Sequence, residues 1–232
     1  LITFIEKWLK NKINTILKSL IDLKELKEKN SSIKALSYQL YENNGVLKRE
    51  QVSEYLSSLG QNERKILRDL GVKFGRYHVF LYKLIKPEPV SLRTLLWKNF
   101  HQKFFKLRPP TFGLNFIIEE NPKNKDFMLL CGFEKFNNFF VRIDILERLF
   151  MQIINYDNKD NKEIKMIPEM LNLLGCSKDN FKKLLNSMEY RIIEKNNEVF
   201  FKYKPFKKNK KIYNKKVSKE NPFGILKNLN LS

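Results

Sequence analysis

The chain has 232 residues, 42% of them hydrophobic, which is long enough for one large domain or two small ones and apolar enough to bury real cores. Its formal net charge of +20 exceeds what solubility needs and points to a polyanionic partner or an anionic surface. Two cysteines, Cys131 and Cys176, exclude a disulfide framework and set a reducing, cytoplasmic environment as the expectation, and two well-separated histidines, His78 and His101, leave no zinc-site spacing.

Only nine of the 45 basic residues are arginine, and the sequence is also rich in Asn, Ile and Phe, as an A·T-biased coding sequence would make it. Some lysines are therefore compositional. Lysine is also a point charge without the bidentate fork of arginine, so phosphate binding through it should carry little sequence preference. No run of about 18 apolar residues occurs, so no membrane span and no membrane partner are expected. The first residue is Leu rather than Met, from which the chain is expected to be a piece of something longer.

In chain order, Ile2, Ile5, Leu9, Ile13, Ile16, Leu20 and Leu23 step by three and four and predict one long helix over residues 2–28. Ser31 or Ser32 can cap a second helix that ends near Asn43-Asn44-Gly45. A third is predicted over about 48–59, and a fourth is capped by Asn62 and stopped by Gly71. At Val72 the texture turns aromatic and β-branched, predicting a strand or strand-turn-strand around Gly75, broken by Pro87 and Pro89. The segment from Ser91 then predicts a helix with Leu92, Leu95, Leu96 and Phe100 inward and Trp97 in the core. Two apolar runs around Lys135–Asn138 predict a hairpin. Residues 121–126 and 156–163 read as polar loops, and Glu119-Glu120 as a solvated carboxylate pair.

The most informative stretch runs from Ile167 to Lys204. Pro168 suits a first helical turn, Met170, Leu171 and Leu174 share a face, and Gly175 is a stop free to take positive φ. Ser177 can cap the next helix, with Asp179 in its first turn and Phe181, Leu184, Leu185 and Met188 continuing the apolar stripe. Tyr190, Ile192 and Ile193 begin a strand, Asn196-Asn197 make a turn, and Val199, Phe200, Phe201 and Tyr203 return. Ile145, Leu149 and Ile153 mark a preceding helix. Helix, tight turn, helix, then hairpin describes a winged helix-turn-helix. From Lys202 to Lys219 nine lysines occur with no acid, an interaction tail, and the chain closes on a short apolar patch.

The expected fold class is mainly α with small β hairpins (α+β). It places a helical bundle over 1–71, a strand/helix connector over 72–125, a winged-helix-like domain over 126–205 and a basic tail with an apolar end over 206–232. The expected nucleic-acid contacts are Lys182 and Lys183 on the second helix of the motif, Arg191 and Lys195 on the wing, Lys207, Lys208, Lys210 and Lys211 on the tail, and Arg76 as a lesser candidate. Lys182 and Lys183 read equally as a solvated face. No phosphate loop, dinucleotide fingerprint or nucleophile elbow occurs, so no catalytic residue and no metal ligand is assigned. Cys176, after a helix-ending glycine, reads as a packed thiol rather than a nucleophile.

Five stretches resemble one family in the same order. GVKFGRYHVFLYKLIKPEPVSLRTLLW at 71–97 is similar to the segment that follows the motor core in bacterial superfamily II helicases related to the mitochondrial degradosome RNA helicase. ALSYQLYENNGVLKRE at 35–50 resembles the helical stretch before it. CGFEKFNNFFVRIDILERL at 131–149 and PEMLNLLGCSKDNFKKLLNSMEYR at 168–191 resemble its C-terminal unit, and NPFGILKNL at 221–229 its closing motif. Lys83-Leu84-Ile85-Lys86 is more basic than the family's approach to the proline. The resemblance implies an ATP-dependent RNA or DNA helicase whose motor domains, with their ATP and magnesium, lie outside this sequence. This chain, with no cofactor of its own, would pack on the motor in cis and help hold single-stranded or structured RNA or DNA. A stand-alone winged-helix regulator or ribosome-associated factor, and a basic docking module for an acidic protein partner such as a nuclease, remain the alternatives.

Overall fold

A computed structural model describes residues 2–26, 31–102, 106–119, 124–155 and 163–204. They form a mainly helical chain with three small antiparallel sheets. The N-terminal stripe is split in two: α1 (Ile2–Ile16) and α2 (Lys18–Lys24) meet at Leu17, rather than running on as the one helix expected. The break lets Leu17, Leu20 and Leu23 enter the core, while α1 buries no residue at all. Helix α3 (Ser31–Glu42) buries Ile33, Leu36 and Leu40 and stops where Asn44 and Gly45 both take positive φ.

The predicted third helix is mostly something else. Val46–Lys48 is strand β1, followed by a 3₁₀ turn (Arg49–Val52) and the short α4 (Ser53–Ser58). Val46 and Leu47 are both buried, and a strand lets successive residues face two different packing surfaces where one helical stripe would not. Helix α5 (Gln61–Asp69) is entered from Gly60, so Asn62 lies inside it rather than capping it. The expected strand-turn-strand is present as β2 (Val72–Phe74) and β3 (His78–Leu81), and β1 pairs antiparallel with β3 to give the order β1-β3-β2. Helix α6 (Pro87–Phe100) begins at the proline expected to precede it, since a first-turn proline loses no hydrogen bond. Its inner face is Val90, Arg93 and Thr94. Leu95 and Phe100, expected inward, are 50% and 84% exposed. Buried Arg93 donates to the carbonyls of Asn44 (2.6 Å) and Leu84 (2.5 Å), clamping the two turns that flank the sheet.

The second half opens with β4 (Phe116–Ile118), a strand that the sequence reading missed. After it come α7 (Lys125–Leu130), the expected hairpin β5 (Phe133–Phe136) and β6 (Phe139–Arg142), and α8 (Ile143–Asn155), with sheet order β4-β6-β5. The two-residue strand β7 (Ile164–Lys165) was also missed. Helices α9 (Pro168–Leu174) and α10 (Lys178–Ser187) follow, and then β8 (Tyr190–Lys195) and β9 (Glu198–Tyr203), in sheet order β7-β9-β8. Gly175 ends α9 at φ +69°, and the Ser177 hydroxyl accepts from the Asn180 N–H to cap α10, both as expected.

Buried clusters cross the expected boundaries at 71 and 125. Strands β2 and β3 and residue Leu84 belong to the same core as α2–α5. Val90 packs instead with Phe127, Met128, Cys131, Phe133 and Phe140, and Trp97 lies against that group. The third core gathers α8, α9, α10 and the inner face of the last sheet around Met170, Phe181, Leu184, Leu185 and Phe201.

Candidate nucleic-acid interface

Helix α10 places its side chains by its 3.6-residue period. Phe181, Leu184 and Leu185 are buried, which turns Lys178 and Lys183 to solvent and leaves Lys182 at the boundary. Lys182 pairs with Glu194 on β8, which holds that carboxyl below its ordinary range. Lys183 carries no ion pair among the described residues. On the hairpin, Lys195 donates to Glu163 (2.8 Å), while Arg191 is exposed and without a carboxylate partner among the described residues. The four expected contacts of this region thus lie on one helix and one adjacent strand. Two are engaged in exposed ion pairs, which hold their partners weakly enough for a phosphate to compete. Lys207, Lys208, Lys210 and Lys211 lie outside the described residues.

Arg76 stands apart from that group. It sits in the turn between β2 and β3, its guanidinium 5.6 Å from the Phe150 ring centroid. It lines a cleft of about 690 Å³ between the first sheet and the C-terminal unit, together with Arg49, Tyr190 and Tyr203. One wall of this cleft is a buried charge chain that sequence reading missed entirely. His78 Nε2 lies 2.8 Å from Glu134 Oε2, and Glu134 Oε1 accepts from Lys48 Nζ at 2.8 Å. His78 Nδ1 is 3.6 Å from Glu147 Oε1, an ion-pair rather than a hydrogen-bond distance. Burial alone would depress the imidazole, but its hydrogen bond to Glu134 and the field of both carboxylates outweigh burial, and its pKa is raised. Burial would raise Glu134, but the bonds from His78 and Lys48 reverse it, and the carboxyl stays below its ordinary range.

Glu147, on α8, also accepts three consecutive backbone N–H groups, from Arg76 (2.5 Å), Tyr77 (2.9 Å) and His78 (2.9 Å). A Cβ on Gly75 would come within 2.2 Å of that carboxylate, so the glycine is what lets the turn close on it. The signal that could have found this site was the single strand-borne histidine, but its partners lie 56 and 69 residues away.

Two other expectations change. The Glu119 side chain is largely enclosed and pairs with Lys135 at 2.6 Å, so it is not a solvated surface group, and Glu120 lies outside the described residues. Cys176 packs against the third core, and burial pushes its thiol up to about 11, so it is a neutral packed side chain at physiological pH. Among the described residues no group of three or more His, Cys, Asp or Glu could hold a metal ion, and no helix is long and apolar enough to cross a membrane. Comparison of the chain with protein-family models, with curated proteins and with solved structures returns no match.

Proposed function

We propose that this chain is the C-terminal accessory region of an ATP-dependent superfamily II helicase, and that it binds RNA or DNA through a winged-helix unit spanning α8 to β9. The element order α8-β7-α9-α10-β8-β9, with its three-stranded sheet packed on three helices, supports the winged-helix reading. The observation that carries nucleic-acid binding is the solvent face of α10. It presents Lys178, Lys182 and Lys183 beside the cationic hairpin, in a chain of net charge +20. Cations arranged this way attract phosphates by releasing condensed counterions, which requires no base reading. The basic tail, read from sequence, adds to the same field. ATP hydrolysis belongs to motor domains that this sequence does not contain.

The test is fluorescence anisotropy of the full chain with single-stranded RNA, duplex RNA and DNA across a salt series. Salt-dependent binding without strong sequence preference is the expected result. Replacing Lys182 and Lys183 by Glu should weaken it about tenfold or more, and deleting 206–219 should weaken it several-fold and flatten the salt slope. A sequence-specific footprint would favour a stand-alone regulator. No binding near physiological salt would make the basic face a surface for an acidic protein and overturn the reading.

A further inference from the structure

The last sheet has two unlike faces. Tyr190, Val199 and Phe201 turn inward and are buried in the third core. By alternation, Arg191 and Ile193 of β8, Phe200 and Lys202 of β9, and Lys165 of β7 turn outward. Arg191 and Lys202 stand directly opposite each other, and Phe200 stands between Ile193 and Lys165. Arg191, Lys202 and Lys165 are exposed, with Lys165 paired to the Glu198 carboxylate on the same face, whereas Phe200 and Ile193 are half-buried and belong to none of the buried clusters.

This arrangement costs the sheet stability. Like charges facing across an antiparallel pair repel. Neither Arg191 nor Lys202 has an ion-pair partner among the described residues to relieve the repulsion. An anion placed between them would convert the repulsion into two attractions. The neighbouring aromatic on the same face is two residues from Lys202, about 6.8 Å along the strand. A cation pair beside a partly exposed aromatic ring fits a ligand with a charged phosphate and a flat apolar base. In a duplex the base faces are covered by stacking, so only an unpaired strand offers both groups to one surface.

From this face, and resting on the nucleic-acid reading above, we infer that the outer face of the β7-β9-β8 sheet is a platform for single-stranded nucleic acid. Arg191 and Lys202 hold a phosphate, and an unpaired base stacks on Phe200 against Ile193. The α10 surface then supplies general attraction, and the sheet face supplies the preference for unpaired strand.

The experiment compares the full chain with its Lys202→Thr, Phe200→Leu and Phe200→Tyr variants. Each is titrated into a fluorescent oligouridylate and into a duplex RNA, and each is melted thermally. Lys202→Thr should weaken oligouridylate binding several-fold and reduce the salt slope by about one, while its melting temperature stays level or rises. Phe200→Leu should cost about fivefold or more on the single strand and little on the duplex, and Phe200→Tyr should retain binding. If the chain binds oligouridylate and all three variants match it, the platform is overturned while the nucleic-acid reading stands. Equal losses on single strand and duplex would likewise remove the stacking role. If the unsubstituted chain binds neither RNA, both readings fall together.

Discussion

At the scale of single residues, the chain's most consequential side chain is His78, an imidazole held between Glu134 and Glu147 inside the protein. Its folded pKa lies above the ordinary 6.5, so its contribution to stability is complete below that value and is lost as pH rises through the folded pKa. Glu134 acts in the opposite sense. Its folded pKa lies below the ordinary 4.5, so its contribution is present above 4.5 and is lost as pH falls through the folded value. Stability should therefore peak between those two ordinary values and decline on the alkaline side. Urea midpoints measured at about pH 5.5 and about pH 8.5 should show the higher value at the lower pH, and His78→Gln should flatten the difference. A midpoint that rises with pH in the unsubstituted chain would show His78 to be neutral in the fold. Arg93 is a buried cation whose partners are two carbonyls, with no carboxylate among the described residues. Burial draws its pKa down to about 10, so it stays charged at neutral pH.

Among the elements, the final hairpin shows how much a turn decides. Asn196 and Asn197 take φ of +48° and +61°, the mirror-image two-residue turn whose twist matches the strands. Asn197→Gly should raise stability by about 0.5 kcal/mol, because glycine adopts positive φ without the side-chain clash. A lower melting temperature would mean that the Asn197 side chain holds the turn. Once that turn is recognised, every cross-strand pair follows, including Arg191 opposite Lys202, so this register was legible in the sequence. The same holds for Gly175, Ser177 and the stripe of α10, where local chemistry and the apolar period agree. Strands β1, β4 and β7 were not legible. Each has two or three residues, too few to display a period, and each exists because a hairpin elsewhere offers it an edge. Leu95 and Phe100 were misplaced because the inner face of α6 is centred on an arginine, and a reading that sorts residues by polarity puts Arg93 outside.

For the whole molecule, the two halves are joined by apolar packing and by polar groups together, with Val90 and Trp97 of α6 set among Phe127, Phe133 and Phe140. Val46, Phe80 and Ile143 form a second, smaller shared cluster, beside which Glu147 grips the turn at 75–78 and Lys48 reaches Glu134. Glu147→Ala leaves three amides and the buried His78 ring short of a partner, which should cost about 3 kcal/mol. In a calorimetric scan the variant should also separate into two transitions where the unsubstituted chain gives one. An unchanged single transition would mean that apolar packing alone couples the halves. The carboxylate grip has a further consequence for the order of assembly. In all three sheets the extra strand precedes its hairpin along the chain, so each sheet has every strand it needs once its own hairpin emerges from the ribosome. The first unit can then close early, through contacts of short sequence separation, with one set of donors left waiting. The amides of residues 76–78 point at a carboxylate some 70 residues downstream, so the N-terminal unit is complete in outline before the group that locks its turn has been synthesised.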